Sequence, residues 1–185
     1  KVHGVDINQH AVDMINQGKI HIVEPGLEDV VKSNVDRGFL MAATHAIEAD
    51  AFLIAVPTPF KNDHEPDLSY IKSACETIAP QLKQGDLVIL ESTSPVGATE
   101  QMSAWLSESR PDLSFPQQKK DASDIRIAHC PERVLPGKVL EELISNDRII
   151  GGMTSRCSKA ACELYKTFVK GECIQRSEEH TSELQ

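Results

Sequence analysis

Short apolar runs, each followed by an acid, a hydroxyl or a proline, alternate along the chain with stretches whose apolar residues recur every three to four positions. The first pattern predicts buried strands and the second amphipathic helices. Strands are expected over residues 2–5, 39–43, 51–56, 86–90 and 125–129, and helices over 11–17, 27–36, 68–82, 98–107 and 158–170. In the third helix Asp67 stands at the N-cap position, and Leu68, Ile71, Ala74, Cys75, Ile78 and Leu82 fall on one face, so Cys75 reads as a small core hydrophobe. Cys162, near Leu164 and Phe168, reads the same way. Residues 111–124 are expected to form a polar surface excursion. Regular alternation of strand and helix is the mark of βαβ units, so the expected class is α/β with a Rossmann-like, doubly wound parallel sheet.

Composition narrows the chemistry. A formal charge of −9 over 185 residues, with Lys119-Lys120 the one adjacent basic pair, disfavours nucleic acid and anionic membranes as partners. The apolar runs are far shorter than the roughly 20 residues of a membrane span. Five cysteines without a C-x-x-C pair point to reduced thiols and a cytoplasmic setting. The seven histidines show no metal-ligand spacing, so no metal is expected.

Three strands end in residues able to hold a ligand. The run "LIAVPTPF" (53–60) stops at Thr58, held between Pro57 and Pro59, which either presents a hydroxyl at the carboxyl end of the sheet or makes a rigid turn. In "VILESTSPVGATEQM" (88–102), Ser92, Thr93 and Thr99 surround a Pro-Gly turn into a helix, and either meet a polar ligand or cap that helix. In "HCPERVLPG" (129–137) the third strand delivers Glu132 and Arg133. Asp6, closing "GVDI", either accepts the ribose hydroxyls of a dinucleotide or caps the next helix. A Cys130–Glu132 dyad is not favoured, because an i, i+2 spacing does not by itself bring the two side chains together, so Cys130 reads as a packed thiol at a strand end.

The strings "GVDI", "VEPGLEDVV", "VPTPF", "ESTSPVGAT", "CPERVLPG" and "NDRIIGG" resemble, in order and spacing over residues 1–174, the UDP-glucose/GDP-mannose dehydrogenase family. The Glu-Arg-x-x-Pro-Gly loop is similar to that of members acting on UDP-N-acetylhexosamines, and the wider wording, including "HIVEPGL" and "NDRIIGGMT", resembles that of members acting on the manno epimer. The resemblance implies oxidation of the sugar C6 hydroxyl to a carboxylate, with two NAD⁺ reduced and a cysteine thioester supplied by later residues. It further implies that Asp6, Thr58, Thr93 and Thr99 contact NAD, that Thr93 and Glu132 face the reacting carbon with Glu132 moving protons, and that Arg133 and Val134 hold the nucleotide-sugar. A homodimer is the implied assembly. Ala11 stands where many members carry a basic residue, and Pro136 where those acting on UDP-glucose carry a second acid, which argues for a different sugar.

Residues 1–174 are therefore expected to be a partial NAD-binding domain, truncated before the first strand and its glycine loop. Residues 175–185 are expected to be a non-native or disordered tail, since "RSEEHTSELQ" (176–185) breaks abruptly from the helical pattern and matches an in-frame translation of a sequencing adapter. Made as written, the polypeptide is expected neither to fold stably nor to turn over substrate. The competing expectations are a nucleotide-sugar dehydrogenase of other specificity, acting on UDP-N-acetylglucosamine or UDP-glucose, a dehydrogenase of 3-hydroxy acids, and a non-catalytic nucleotide-sensing module.

Overall fold

In chain order the computed structural model, which describes residues 1–20, 22–60 and 66–176, contains β1 (Val2–Val5), α1 (Gln9–Asn16), α2 (Leu27–Asp36), β2 (Leu40–Ala43), β3 (Ala51–Ile54), α3 (Ser69–Ile78), β4 (Leu87–Leu90), α4 (Ala98–Ser109), α5 (Pro116–Lys119), β5 (Arg126–His129), α6 (Val139–Ser145), β6 (Arg148–Gly152), α7 (Ser155–Tyr165) and β7 (Cys173–Arg176). These elements divide between two units, one of residues 1–47 with 134–144 and the other of 48–133 with 145–185.

The first unit is built on a two-stranded parallel sheet, Val2 opposite Leu40 and Val5 opposite Ala43. A parallel pair needs a crossover, and α1 and α2 supply it. Asn16, closing α1, lays its amide along β2: Nδ2 donates to the Ala42 carbonyl and Oδ1 accepts from the Ala42 amide, each at 2.8 Å. That one side chain satisfies main-chain groups that an edge strand would leave unpaired. Farther along the chain, α6 begins two residues after Gly137, and its start is held by Glu24. The Glu24 carboxylate, 8% exposed, accepts from the Gly137 amide at 2.8 Å and the Val139 amide at 2.7 Å. A short helix thus follows Pro136-Gly137 almost at once.

The second unit carries a five-stranded sheet in the order β3-β4-β5-β6-β7. Strands β3, β4 and β5 are parallel, and β4 is buried along its whole length, with Val88, Ile89 and Leu90 fully covered. A continuous apolar strand suits a central position with both faces packed. The sheet then departs from the all-parallel expectation: β6 runs antiparallel to β5, and β7 lies parallel to β6. Neither β6 nor β7 stands out in the hydrophobic pattern, because "RIIGG" and "CIQR" hold two apolar residues and one, apart from glycine and cysteine. Close packing makes β6 possible: a Cβ on Gly152 would lie 2.3 Å from the Ser158 amide nitrogen. Gln175 and Arg176, the first two residues of the expected tail, pair with Ile150 and Gly151 in β7. The remainder of that tail, 177–185, lies outside the described residues.

Helix bounds shift for local reasons. The third helix ends at Ile78 and tightens into a 3₁₀ turn over Ala79–Gln81, because Pro80 has no N–H to continue the ladder. Asp67 caps it from one position further out, accepting from the Ser69 amide at 2.9 Å. The last helix starts at Ser155, three residues earlier than expected, with Thr154 accepting from the Cys157 amide. The expected polar excursion holds a buried anchor: Phe115 is fully covered, and the Asp124 carboxylate accepts from both the amide and the hydroxyl of Ser114. One aromatic among polar residues is enough to pin a segment whose average polarity says surface.

Candidate active site

In the second unit, the carboxyl ends of β3, β4 and β5 release their loops at one edge of the sheet, the usual place for a ligand in an open α/β sheet. The loops are joined there by side chains. Ser92, buried just after β4, accepts from the Val56 amide at 2.9 Å and donates to the Val56 carbonyl at 2.7 Å. The Thr58 hydroxyl donates to the Thr93 carbonyl. Ser92 is therefore a latch between the ends of β3 and β4, whereas Thr93 keeps an exposed side chain. Beyond β5 the ladder continues with the Cys130 amide donating to Leu90 at 2.9 Å and the Glu132 amide donating to Glu91 at 3.2 Å. Glu132 and Arg133 then lie exposed, with the Arg133 carbonyl accepting from the side-chain Nδ2 of Asn146 at 3.2 Å. Thr58, Thr93 and Glu132 thus meet through the ends of three adjacent strands, as their sequence positions imply.

Behind this edge lies a partly buried carboxylate that the sequence reading did not single out. The Glu91 carboxylate accepts a hydrogen bond from the hydroxyl of Tyr165, a fully covered residue on α7. Burial pushes the Glu91 carboxyl above the usual carboxylate range; the Tyr165 hydroxyl and the Arg148 guanidinium oppose that, and the Glu132 charge adds to it. Arg148, itself buried, sits over the Tyr165 ring at 5.6 Å from the centroid. The reversal of β6 puts Arg148 here, because an antiparallel strand brings its amino end to the edge where its neighbours end. Cys130 is fully covered beside Tyr165, and burial pushes its thiol up to about 12, so it is no nucleophile near neutral pH. A signal for Glu91 does exist in the sequence: an acid directly after a strand, the position that drew attention to Asp6.

His129 closes β5 in full burial, its Nε2 3.4 Å from the Ser92 carbonyl and 3.5 Å from the Ser94 hydroxyl. Burial lowers its pKa below the ordinary histidine value. Thr99, in the first turn of α4, is fully covered, and its hydroxyl finds no partner among the described residues. Gly97, at φ +88°, supplies the left-handed turn that leads into that helix. An unpartnered buried hydroxyl is costly, and a polar ligand at the start of α4 would satisfy it, so this part of the chain fits a dinucleotide.

In the first unit, Asp6 follows β1 and accepts from the Asn8 amide at 2.8 Å, while Asn8 is the residue that caps α1. Asp6 is therefore not the cap, and it stays exposed at a strand end, where a ribose-binding acid belongs. Val134 is partly buried. No helix among the described residues is long and apolar enough to cross a membrane.

Comparison with known proteins gives a consistent picture. The model of the UDP-glucose/GDP-mannose dehydrogenase family, NAD binding domain, matches residues 1–169. The chain is 67% identical over 174 residues to a UDP-N-acetyl-D-mannosamine dehydrogenase of Escherichia coli, covering 94% of this chain and 41% of that protein. It is 69% identical over 171 residues to an NDP-N-acetyl-D-galactosaminuronic acid dehydrogenase of Ralstonia solanacearum, covering 92% and 40%. Among solved structures, the UDP-N-acetyl-mannosamine dehydrogenase Cap5O of Staphylococcus aureus superposes with a TM-score of 0.89 at 40% identity, covering 98% of this chain and 43% of that one. The chain spans about two-fifths of the length of the curated relatives it matches.

Proposed function

Because this chain belongs to the UDP-glucose/GDP-mannose dehydrogenase family and carries its NAD-binding domain, we propose that residues 1–174 form the NAD-binding part of an enzyme oxidising C6 of UDP-N-acetyl-D-mannosamine to the uronate. The assembly is a cytoplasmic homodimer. Asp6 accepts the adenosine ribose hydroxyls, and Thr58, Thr93 and Thr99 hold the remainder of the cofactor. Bound NAD⁺ supplies the hydride acceptor. Glu132 takes and returns protons at the sugar C6 oxygen and its water, Thr93 faces the same carbon, and Arg133 with Val134 holds the nucleotide-sugar. The observation that carries this is the release of Thr58, Thr93 and Glu132 from the ends of three adjacent parallel strands.

A second substrate has equal support from similarity, since the Ralstonia relative, named for an N-acetylgalactosaminuronic acid, is 69% identical. The test is a chimaera in which residues 1–174 replace the matching segment of the E. coli relative, assayed for NAD reduction. Turnover of UDP-N-acetyl-D-mannosamine in preference to the galacto and gluco epimers is expected. Preference for the galacto epimer would transfer the assignment to the second substrate, and no NAD reduction with any of the three would sink the enzyme reading.

A further inference from the structure

The geometry points to Glu91 as a positioning residue for the acid–base chemistry at Glu132, acting through its main-chain carbonyl, which receives the Glu132 amide, and its carboxylate, which receives the Tyr165 hydroxyl. The inference rests on the role proposed for Glu132.

The bond from the Glu132 amide continues the β4–β5 ladder beyond the paired strands, two residues past the Cys130 to Leu90 bond. Beyond it Glu132 and Arg133 are exposed. A main-chain bond at the end of a ladder frays unless something fixes both of its partners. Glu91 is fixed from the side: its carboxylate is tied to Tyr165, whose ring is packed in one cluster with Ile89, Ala128, Ile150 and Ala161 from β4, β5, β6 and α7. Glu91 therefore links the packed core to the residue proposed to move the proton. An acid is a poor choice for stability at this place. Burial disfavours its charge, and Glu132 adds repulsion, with only the Tyr165 hydroxyl and the Arg148 guanidinium opposing them. A well-packed apolar side chain of similar volume would avoid the desolvation. What an apolar side chain lacks is the directional bond that fixes the strand end.

Tyr165→Phe in the chimaera removes the hydroxyl and keeps the ring. The expected result is a fall in kcat of about 10- to 100-fold, as for a small misplacement of a catalytic group, with KM for NAD and for the nucleotide-sugar within about twofold. In a Glu132→Gln background the same substitution should cost nothing further, because Glu91 acts through Glu132. A folded Tyr165→Phe variant within about threefold of its parent in kcat overturns the inference, as does a loss that multiplies through in the Glu132→Gln background. If Tyr165→Phe does not fold, Glu91→Asp, which draws the carboxylate back by one methylene, decides by the same two criteria. A parent chimaera that reduces no NAD overturns the Glu132 assignment, and this inference with it, whereas an active parent with indifferent variants overturns the inference alone.

Discussion

Glu24 and Val139 are separated by 115 residues in the chain, and the Val139 amide donates to the Glu24 carboxylate at 2.7 Å. With the second bond from the Gly137 amide, at 2.8 Å, one buried carboxylate determines where α6 begins. Hydrogen bonds to a charged acceptor contribute on the order of 1.5–3 kcal/mol each, and part of that is recovered by water when the acceptor is lost. Glu24→Ala in the chimaera should therefore lower unfolding stability by about 1.5–3 kcal/mol and speed amide exchange at Gly137 and Val139. A change below about 0.5 kcal/mol in chemical denaturation would mean the clamp is idle.

Glu132→Gln keeps the shape of the side chain and removes its ability to take a proton. Positioned acid–base groups contribute about 10²–10⁴-fold, so kcat of the chimaera should fall by that much with little change in KM. Steady-state kinetics with the preferred sugar make the measurement. A loss smaller than roughly tenfold removes Glu132 from the mechanism.

The buried thiol of Cys130 makes a contrary prediction. Pushed up to about 12 and fully covered, it should stay unmodified by a thiol reagent at neutral pH until the protein unfolds. Cys130→Ala should cost stability through a small cavity and leave kcat within about threefold of the parent. Labelling of Cys130 in the native protein ahead of the partly exposed Cys173, read by mass spectrometry, would contradict this burial.

His129 sets a pH window. Its folded pKa is lowered from 6.5, chiefly by burial, so below 6.5 the unfolded chain takes up a proton that the folded chain refuses. Stability is thus fully present above that value and declines as the pH falls from 6.5 towards the lowered folded value. Melting temperatures recorded across this range should decline on the acid side, and His129→Gln should flatten the decline. An unchanged slope in the variant would assign the acid sensitivity elsewhere.

Close packing at Gly171 gives a steric test. A Cβ there would lie 2.4 Å from the carbonyl oxygen of Asn146, a main-chain atom that cannot turn aside. Gly171→Ala should destabilise by about 1–3 kcal/mol, the ordinary cost of overpacking, while Gly85→Ala, with open space but a φ of +98°, should cost about 1 kcal/mol through backbone strain alone. Equal costs at the two positions would argue that the contact relaxes freely.

What the sequence disclosed and what it hid divide along physical lines. Strands β1 to β5 are found within two residues of their expected bounds, since each buries a run of apolar side chains that local pattern reports directly. Strands β6 and β7 went unread because glycine approach and neighbouring strands hold them, and neither cause leaves a period in the sequence. The placement of Thr58, Thr93 and Glu132 at one edge of the sheet was legible because each follows a strand that stops abruptly. The Glu91–Tyr165 bond was not, because 74 residues separate the partners and nothing local in either segment specifies the other.

The latch at Ser92 has a consequence in time. Where the β3–β4 ladder stops, a single hydroxyl both takes and gives a hydrogen bond with Val56, and the Thr58 hydroxyl adds one more link to the loop after β4. Each such neutral bond contributes about 1 kcal/mol, roughly a fivefold change in the population of the opened form. Separating strand β4, buried along its length, would require exposing a central part of the core. The loops can therefore open and reclose many times within the lifetime of the sheet beneath them, so exchange of the cofactor proposed to bind there is expected at the rate of a local fluctuation rather than of unfolding.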